Sequence, residues 1–107
     1  MKDQIDKLIE VIKADYARWM NGDDEVQKQM RNQFNNSIKV NYGSKYVKII
    51  KDSSVWGFIV NTDDDKKFRK GDILKPAGYN APARNAARGN ILDGGYSISW
   101  TGPFYLK

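Results

Sequence analysis

Two arginines set four residues apart are the side chains of this sequence best suited to chemistry. They are Arg84 and Arg88, within the segment YNAPARNAARGN that spans residues 79–90. If the middle of this segment is helical, the two side chains lie one turn apart on one face. A guanidinium group presents a planar fork of N–H donors that matches the oxygens of a phosphate. The pattern therefore predicts binding of an oxygen-rich anion such as a phosphorylated ligand.

The chain around the arginines is basic as well. Five positive charges precede them, against the single acid Asp72, and these are Lys66, Lys67, Arg69, Lys70 and Lys75. The whole chain of 107 residues has 18 basic and 13 acidic side chains and a net charge of +5. Such a balance favours anionic partners, but it does not distinguish nucleic acid, nucleotide and acidic protein.

Catalytic residues are hard to find. The chain has no cysteine and no histidine, which excludes disulfides, thiolate metal sites and histidine general bases. Its serines therefore lack the partner of a conventional hydrolase triad. The acidic run Asp63–Asp65 lacks the spaced ligands of a calcium loop, and the lysines after it oppose a cation. We expect a binding protein with no catalytic residue, no metal and no cofactor, and not an enzyme.

Two aromatic residues are candidates for stacking on a base. Trp56 and Phe58 alternate along the apolar run SVWGFIV at 54–60, so regular pairing would place both on one face of a strand. Stacking of a base on such a ring contributes about 1–3 kcal/mol. The alternative is that both rings fill the small core under the first helix. Trp100 allows the same two interpretations.

The N-terminal third is predicted to be helical. Apolar residues recur at three- and four-residue spacing from Ile5 to Met20, which predicts an amphipathic helix that stops near Gly22. Asp23 or Asp24 can cap a second helix that ends in the run 35–37. The apolar face of the first helix is large for a small domain. It is expected to pack on the sheet, or in part on another subunit.

The remainder is predicted to be mainly strands. Alternating or branched apolar residues predict strands within 38–42, 46–50 and 54–60 and another in YSISW at 96–100. A short helix is expected near 81–88, with Pro82 in its first turn. The fold class is α+β: N-terminal helices packed on a mainly antiparallel β-sheet with a short C-terminal helix. Residues 1–107 are expected to form a single domain, with 1–36 helical and 37–107 forming the sheet with its short helix.

The sequence contains no targeting signal that we recognise. No apolar run approaches the roughly 20 residues of a membrane span, and the first residues mix acids through their apolar positions, unlike a signal peptide. We therefore expect a soluble cytoplasmic protein with no membrane partner.

Three runs carry a resemblance to a known family. They are KYVKIIKDSSVWGFIV, KKFRKGDILKPAGYNAPARNAARGNI and YSISWTGPFYL, which together cover roughly residues 45–107. The sequence resembles the phage family of Thoeris anti-defence sponges, the first type named against that defence system. This resemblance implies a small protein in the cytoplasm of a bacterial host cell that sequesters a cyclic ADP-ribose isomer without cleaving it. It also implies a homodimer, or a hexamer as in some members, with further sites for cyclic oligonucleotides in some of them.

The same resemblance implies roles for individual side chains. It places Arg84 and Arg88 against the pyrophosphate and Phe58 or Trp56 against the adenine. It implies that Asn90 either hydrogen-bonds the ligand or holds the loop in place. It also makes Arg31 a weaker candidate that reaches in from a partner subunit.

Two other functions remain open from the residues alone. The basic stretch together with Tyr79, Tyr96 and Trp100 would suit a single-stranded nucleic-acid-binding module. The face that bears Arg84 and Arg88 would also suit an inhibitor that docks on an acidic patch of an enzyme.

Overall fold

A computed structural model describes residues 1–94 and 96–103 of the chain. Gly95 and residues 104–107, which include the end of the run YSISWTGPFYL, lie outside the described residues. The described part contains two helices followed by six strands.

The first helix, α1, spans Lys2–Trp19. Its predicted apolar face is buried where it meets the sheet, through Ile5, Leu8, Ile9, Ile12 and Tyr16. The face ends sooner than its spacing suggests, because the side chain of Trp19 is 69% exposed. The helix therefore packs on the sheet as expected, and its last turn leaves a large aromatic ring at the surface.

The second helix, α2, spans Glu25–Ser37. Asp24 is its N-cap, and the carboxylate accepts a hydrogen bond from the backbone N–H of Gln27 at 2.8 Å. Of its apolar residues only Phe34 is buried, and its ring stacks on Tyr16 of α1 with 4.0 Å between the centroids. This aromatic pair joins the two helices.

Four strands form an antiparallel sheet in the order β1-β2-β3-β4. They are β1 (Ile38–Tyr42), β2 (Tyr46–Lys51), β3 (Ser54–Val60) and β4 (Ile73–Leu74). A separate two-stranded hairpin consists of β5 (Ile98–Ser99) and β6 (Gly102–Pro103). The predicted α+β class, with N-terminal helices on a mainly antiparallel sheet, is confirmed.

A β-bulge interrupts the pairing of β2 with β3. Ile49 pairs with Gly57 but Ile50 pairs with Val55, so Trp56 is an extra residue on β3. A bulge changes which face the residues beyond it occupy. Trp56 belongs to the core cluster beneath α1, whereas Phe58 belongs to a second cluster with Val60, Phe68 and Leu74. The prediction that Trp56 and Phe58 project from one face is therefore wrong.

The short helix predicted near 81–88 is not present. Pro82 forms an isolated bridge with Pro76, and the backbone N–H of Ala83 donates to the carbonyl of Lys75 at 2.7 Å. The backbone N–H of Arg88 donates to the carbonyl of Ile73 at 2.7 Å. Because these backbone groups pair with residues 73–76, the segment is held at both ends beside β4 and its continuation and does not form helical bonds within itself.

Neither helix in the part of the chain that the structure describes combines the length and apolar character that crossing a bilayer requires.

Candidate functional site

Arg84 lies on the sheet face opposite the helices, held by three side chains from elsewhere in the chain. Its guanidinium donates to the hydroxyl of Tyr46 on β2 at 2.5 Å and to Oδ1 of Asp65 at 2.9 Å. It also lies over the ring of Phe68, 4.9 Å from the centroid. The Arg84 side chain is 38% exposed, whereas that of Asp65 is 1% exposed. The arginine is thus fixed from below by a buried carboxylate while part of it remains open to solvent.

Asp65 is an anchor rather than a solvent-facing acid. Its Oδ1 also accepts the backbone N–H groups of Lys67 and Phe68, at 2.8 and 2.9 Å. The hydrogen bond from Arg84, followed by these two backbone bonds, holds the pKa of the Asp65 carboxyl well below its ordinary value. The same pair raises the pKa of Arg84, so both side chains stay charged. From the sequence, Asp65 was considered only as a member of the acidic run Asp63–Asp65.

A cavity of about 510 Å³ opens beside this pair. Its lining comes from the turn before β2 and from the loop after β3, together with Arg84. The lining residues are Ser44, Lys45, Thr62, Asp64, Asp65, Lys66 and Arg84. Three cations and two hydroxyl side chains thus surround it, and one of its two acids is already occupied by Arg84. With three cations against two acids, the lining has a net charge of +1, which favours an anion.

Arg88 does not share this cavity. Its side chain contacts its own loop, with Nε donating to the carbonyl of Ala86 at 3.3 Å and Nη2 donating to Oδ1 of Asn85 at 3.4 Å. The pKa of Lys75 is lowered, mainly by burial of its ammonium group and in addition by the nearby positive charge of Arg88. Because 81–88 is not helical, the spacing of four residues does not place Arg84 and Arg88 on one helical face.

Both candidate stacking rings are almost wholly buried. Trp56 is 1% exposed, and its indole Nε1–H donates to the carbonyl of Ser99 at 2.9 Å. Phe58 is 2% exposed and packs edge-on against Tyr46, with centroids 5.9 Å apart. The alternative interpretation, that they fill the core, describes their positions: Trp56 lies under α1 and Phe58 lies on the other face of the sheet. Phe58 nonetheless supports the ring of Tyr46, which in turn bonds Arg84.

Asn90 holds its loop. Its Nδ2 donates to Oδ1 of Asp72 at 2.8 Å and to the carbonyl of Lys70 at 3.0 Å, while its Oδ1 accepts the backbone N–H groups of Leu92 and Asp93. The residue is 6% exposed. Of the two roles expected for Asn90, the described contacts match the loop-holding one.

Arg31 lies at the turn between the helices. Its Nη1 donates to the carbonyl of Met20 and, at 3.0 Å, to the carbonyl of Gly22. These bonds satisfy the carbonyl of Met20, the C-cap of α1, and the carbonyl of Gly22 in the turn that follows. Within one chain Arg31 therefore acts as a helix cap and does not join Arg84 at the cavity.

The sequence missed most of the cavity wall. Lys45, Lys66 and Asp65 stand in polar turns, where a charge ordinarily indicates a solvated loop. Asp65 directly precedes the basic pair Lys66–Lys67, whereas Arg84 lies between Ala83 and Asn85, so no local pattern links the two residues. Only the packing of two loops separated by 19 positions brings them together.

The model of a family of unknown function, DUF7717, matches residues 1–102 of the chain. No curated protein and no solved structure matches the chain.

Proposed function

Because the chain belongs to the DUF7717 family, whose function is unknown, we propose a function from its own side chains: binding and sequestering of a phosphorylated small molecule of the cyclic ADP-ribose type, without cleavage. The cavity of about 510 Å³ beside Arg84 is the observation on which this proposal depends.

The charge distribution of the cavity supports an anionic ligand. Arg84, Lys45 and Lys66 contribute three positive charges to its wall against the two negative charges of Asp64 and Asp65, a net charge of +1, and Asp65 is already bonded to Arg84 and two backbone amides. The hydroxyls of Ser44 and Thr62 add neutral groups of the kind that hydrogen-bond phosphate oxygens or a ribose. The cavity therefore offers both charge and neutral polar groups to a nucleotide.

The fixed orientation of Arg84 supports a role in ligand binding and distinguishes this residue from an ordinary cation of the surface. Its bonds to Tyr46 and Asp65 occupy two of the five N–H donors of a guanidinium, which leaves donors for a ligand. Since the side chain is already held in one orientation, a ligand does not have to order it, and the entropic cost of binding falls.

A chain without histidine or cysteine has few ways to activate water or to form a covalent intermediate. A sequestering protein needs neither.

The resemblance to Thoeris anti-defence sponges adds the ligand class, the phage origin and the bacterial cytoplasm to this proposal. It also suggests a homodimer, in which Arg88 or the partner's side chains complete the contact with the pyrophosphate and adenine.

The test is to titrate cyclic ADP-ribose and its isomers into the protein by calorimetry, then to denature the complex by heat and analyse the released ligand. Tight binding with recovery of the intact cyclic nucleotide is the expected result. Recovery of a linear product would indicate an enzyme instead, and the absence of binding by every isomer would overturn the proposal.

One observation favours the alternative of a single-stranded nucleic-acid-binding module. Tyr79 is 53% exposed, and Nζ of Lys48 lies 4.1 Å from its ring centroid, so a cation and an aromatic ring occur together at the surface. Binding of an oligonucleotide would weaken steeply with salt as counterions are released. A weak salt dependence would exclude this alternative.

A further inference from the structure

A second cavity, of about 520 Å³, lies where the two helices meet the turn between β2 and β3. Its lining shares no residue with the cavity beside Arg84. The walls are largely apolar: the three aromatic residues Tyr16, Phe34 and Trp100, with the methionines Met20 and Met30. Methionine side chains are polarisable and adapt to flat or irregular hydrophobic ligands.

The aromatic wall is preformed. Trp100 meets Tyr16 and Phe34 edge-on, with centroid distances of 4.9 and 5.8 Å. The backbone N–H of Trp100 donates to Oδ2 of Asp15 at 2.9 Å, which fixes this residue against α1. The wall therefore does not need to be assembled by a ligand.

Lys51 brings one positive charge to the cavity. Its Nζ lies 5.0 Å from the centroid of the Trp100 ring and 3.5 Å from the Trp100 carbonyl oxygen. No carboxylate of the described residues lies within 4.0 Å of this ammonium group, although Asp52 also borders the cavity and is exposed. Burial lowers the pKa of Lys51, as expected for an ammonium group that lacks a nearby counter-ion.

We propose that this cavity is a second binding site, for a small molecule with a flat hydrophobic body and a single acidic group, such as an aromatic carboxylate. The body lies against Trp100 and the methionines, and the acidic group pairs with Nζ of Lys51. One ammonium group in an apolar cavity suits a monoanion better than a ligand with several phosphates, because each further charge would be buried without a partner. The site is independent of the nucleotide proposed for the Arg84 cavity.

The experiment uses 1-naphthoate as the probe and its neutral analogue 1-naphthylmethanol for comparison, with the full chain labelled with ¹⁵N. We expect naphthoate to shift the backbone amides of Lys51 and Trp100 and the indole N–H of Trp100, and to bind about tenfold more tightly than the alcohol, as one charge-assisted hydrogen bond implies. Lys51→Met keeps the length of the side chain and should remove this tenfold preference.

Lys48→Met is the matched control, because Lys48 is on the same strand and also lies over an aromatic ring, that of Tyr79. This variant should retain the preference for naphthoate. Equal binding of the two probes by the unaltered protein would overturn the proposal whether or not the Lys51 variant folds. Shifts confined to residues outside the cavity, or no shifts at millimolar probe, would overturn it too.

Discussion

The carboxylate of Asp15 and the backbone of Trp100 are hydrogen-bonded at 2.9 Å across 85 positions of the chain. Asp15 is in α1, 9% exposed, and its other oxygen accepts a hydrogen bond from Arg18. Trp100 follows β5 in the small hairpin. One buried carboxylate thus fastens the first helix to the last described hairpin and sets the aromatic wall of the second cavity.

Asp15→Ala should therefore lower the free energy of unfolding by about 1–3 kcal/mol, because a partly buried backbone N–H loses its partner. It should also weaken naphthoate binding, since Trp100 is no longer fixed. Urea denaturation and the NMR titration measure the two effects. Asp23→Ala, at an exposed position before α2, should change stability by no more than about 0.5 kcal/mol. Equal stability of the two variants would contradict this account of Asp15.

Removal of either arginine of the 79–90 segment should weaken nucleotide binding. Arg84→Ala deletes a charge-assisted contact and should cost about 2 kcal/mol, or roughly thirtyfold in Kd. Arg88→Ala should cost a similar amount if both guanidinium groups contact the pyrophosphate. Calorimetry with the best-binding cyclic ADP-ribose isomer is the measurement, on variants whose thermal melts show that they fold. Unchanged affinity in Arg84→Ala would remove that residue from the site.

Arg31 is expected to contribute to stability and not to nucleotide affinity, in contrast to Arg84. Arg31→Ala removes the bonds to the carbonyls of Met20 and Gly22, so we expect a loss of about 1–2 kcal/mol in stability with nucleotide affinity unchanged. A selective loss of affinity, with stability intact, would instead support the role in which Arg31 reaches into a partner's site.

The pairing of Asp65 with Arg84 makes stability depend on pH. The pKa of Asp65 is depressed in the folded chain, so its contribution is fully present above the ordinary carboxyl value of 3.8 and is lost as pH falls below it. Asp65→Asn lacks this titration. We expect the variant to melt at a lower temperature than the unaltered protein at pH 7, and the gap to narrow as pH falls through 3.8 towards 2. A gap that stays constant over this range would show that the ion pair does not contribute.

Replacement of Asn90 is expected to lower the stability of the folded chain. Asn90→Ala removes one of the hydrogen bonds of the buried Asp72 carboxylate, which keeps its bond from the backbone N–H of Arg69, and it leaves two partly buried backbone N–H groups without a side-chain partner; we expect a cost of about 2–4 kcal/mol. Asn90→Asp retains the acceptor oxygens but sets a second carboxylate against Asp72 and should be comparably damaging. Denaturant midpoints of the two variants check this. Asn85→Ala, at an exposed position of the neighbouring loop, serves as the control.

Periodicity was enough to predict the two helices and the three longer strands. The spacing from Ile5 to Tyr16 and the alternation in 38–42 arise from local geometry, so they are visible in sequence. The helix expected near 81–88 does not form, because Pro76 and Pro82 bridge to each other. In addition, the backbone N–H groups of residues 83 and 88 donate to carbonyls in and beside β4. Such pairing depends on which strand lies alongside, and residue spacing does not reveal it.

Only part of the candidate site could be predicted from the sequence. Arg84 was identified by type and spacing, and it does line a cavity. Its partners Asp65 and Tyr46 come from other elements, and the fold alone decides that they meet. Trp56 and Phe58 were assigned to one face because regular alternation was assumed, and one extra residue in β3 separates them.

That extra residue gives β3 a distinctive sensitivity to changes in chain length. Trp56 is the point at which the strand switches faces, so the segments before and after it are out of phase by one position. Deleting Trp56 itself would restore regular pairing but remove its ring from the core, whereas deleting a residue elsewhere in β3 would shift the positions on one side of the deletion to the opposite face. The exposed positions 63–64 of the loop before Asp65 can gain or lose residues at little cost. Insertions and deletions should therefore accumulate around the Arg84 cavity and be excluded from β3, so ligand preference can diversify while the sheet stays constant in length.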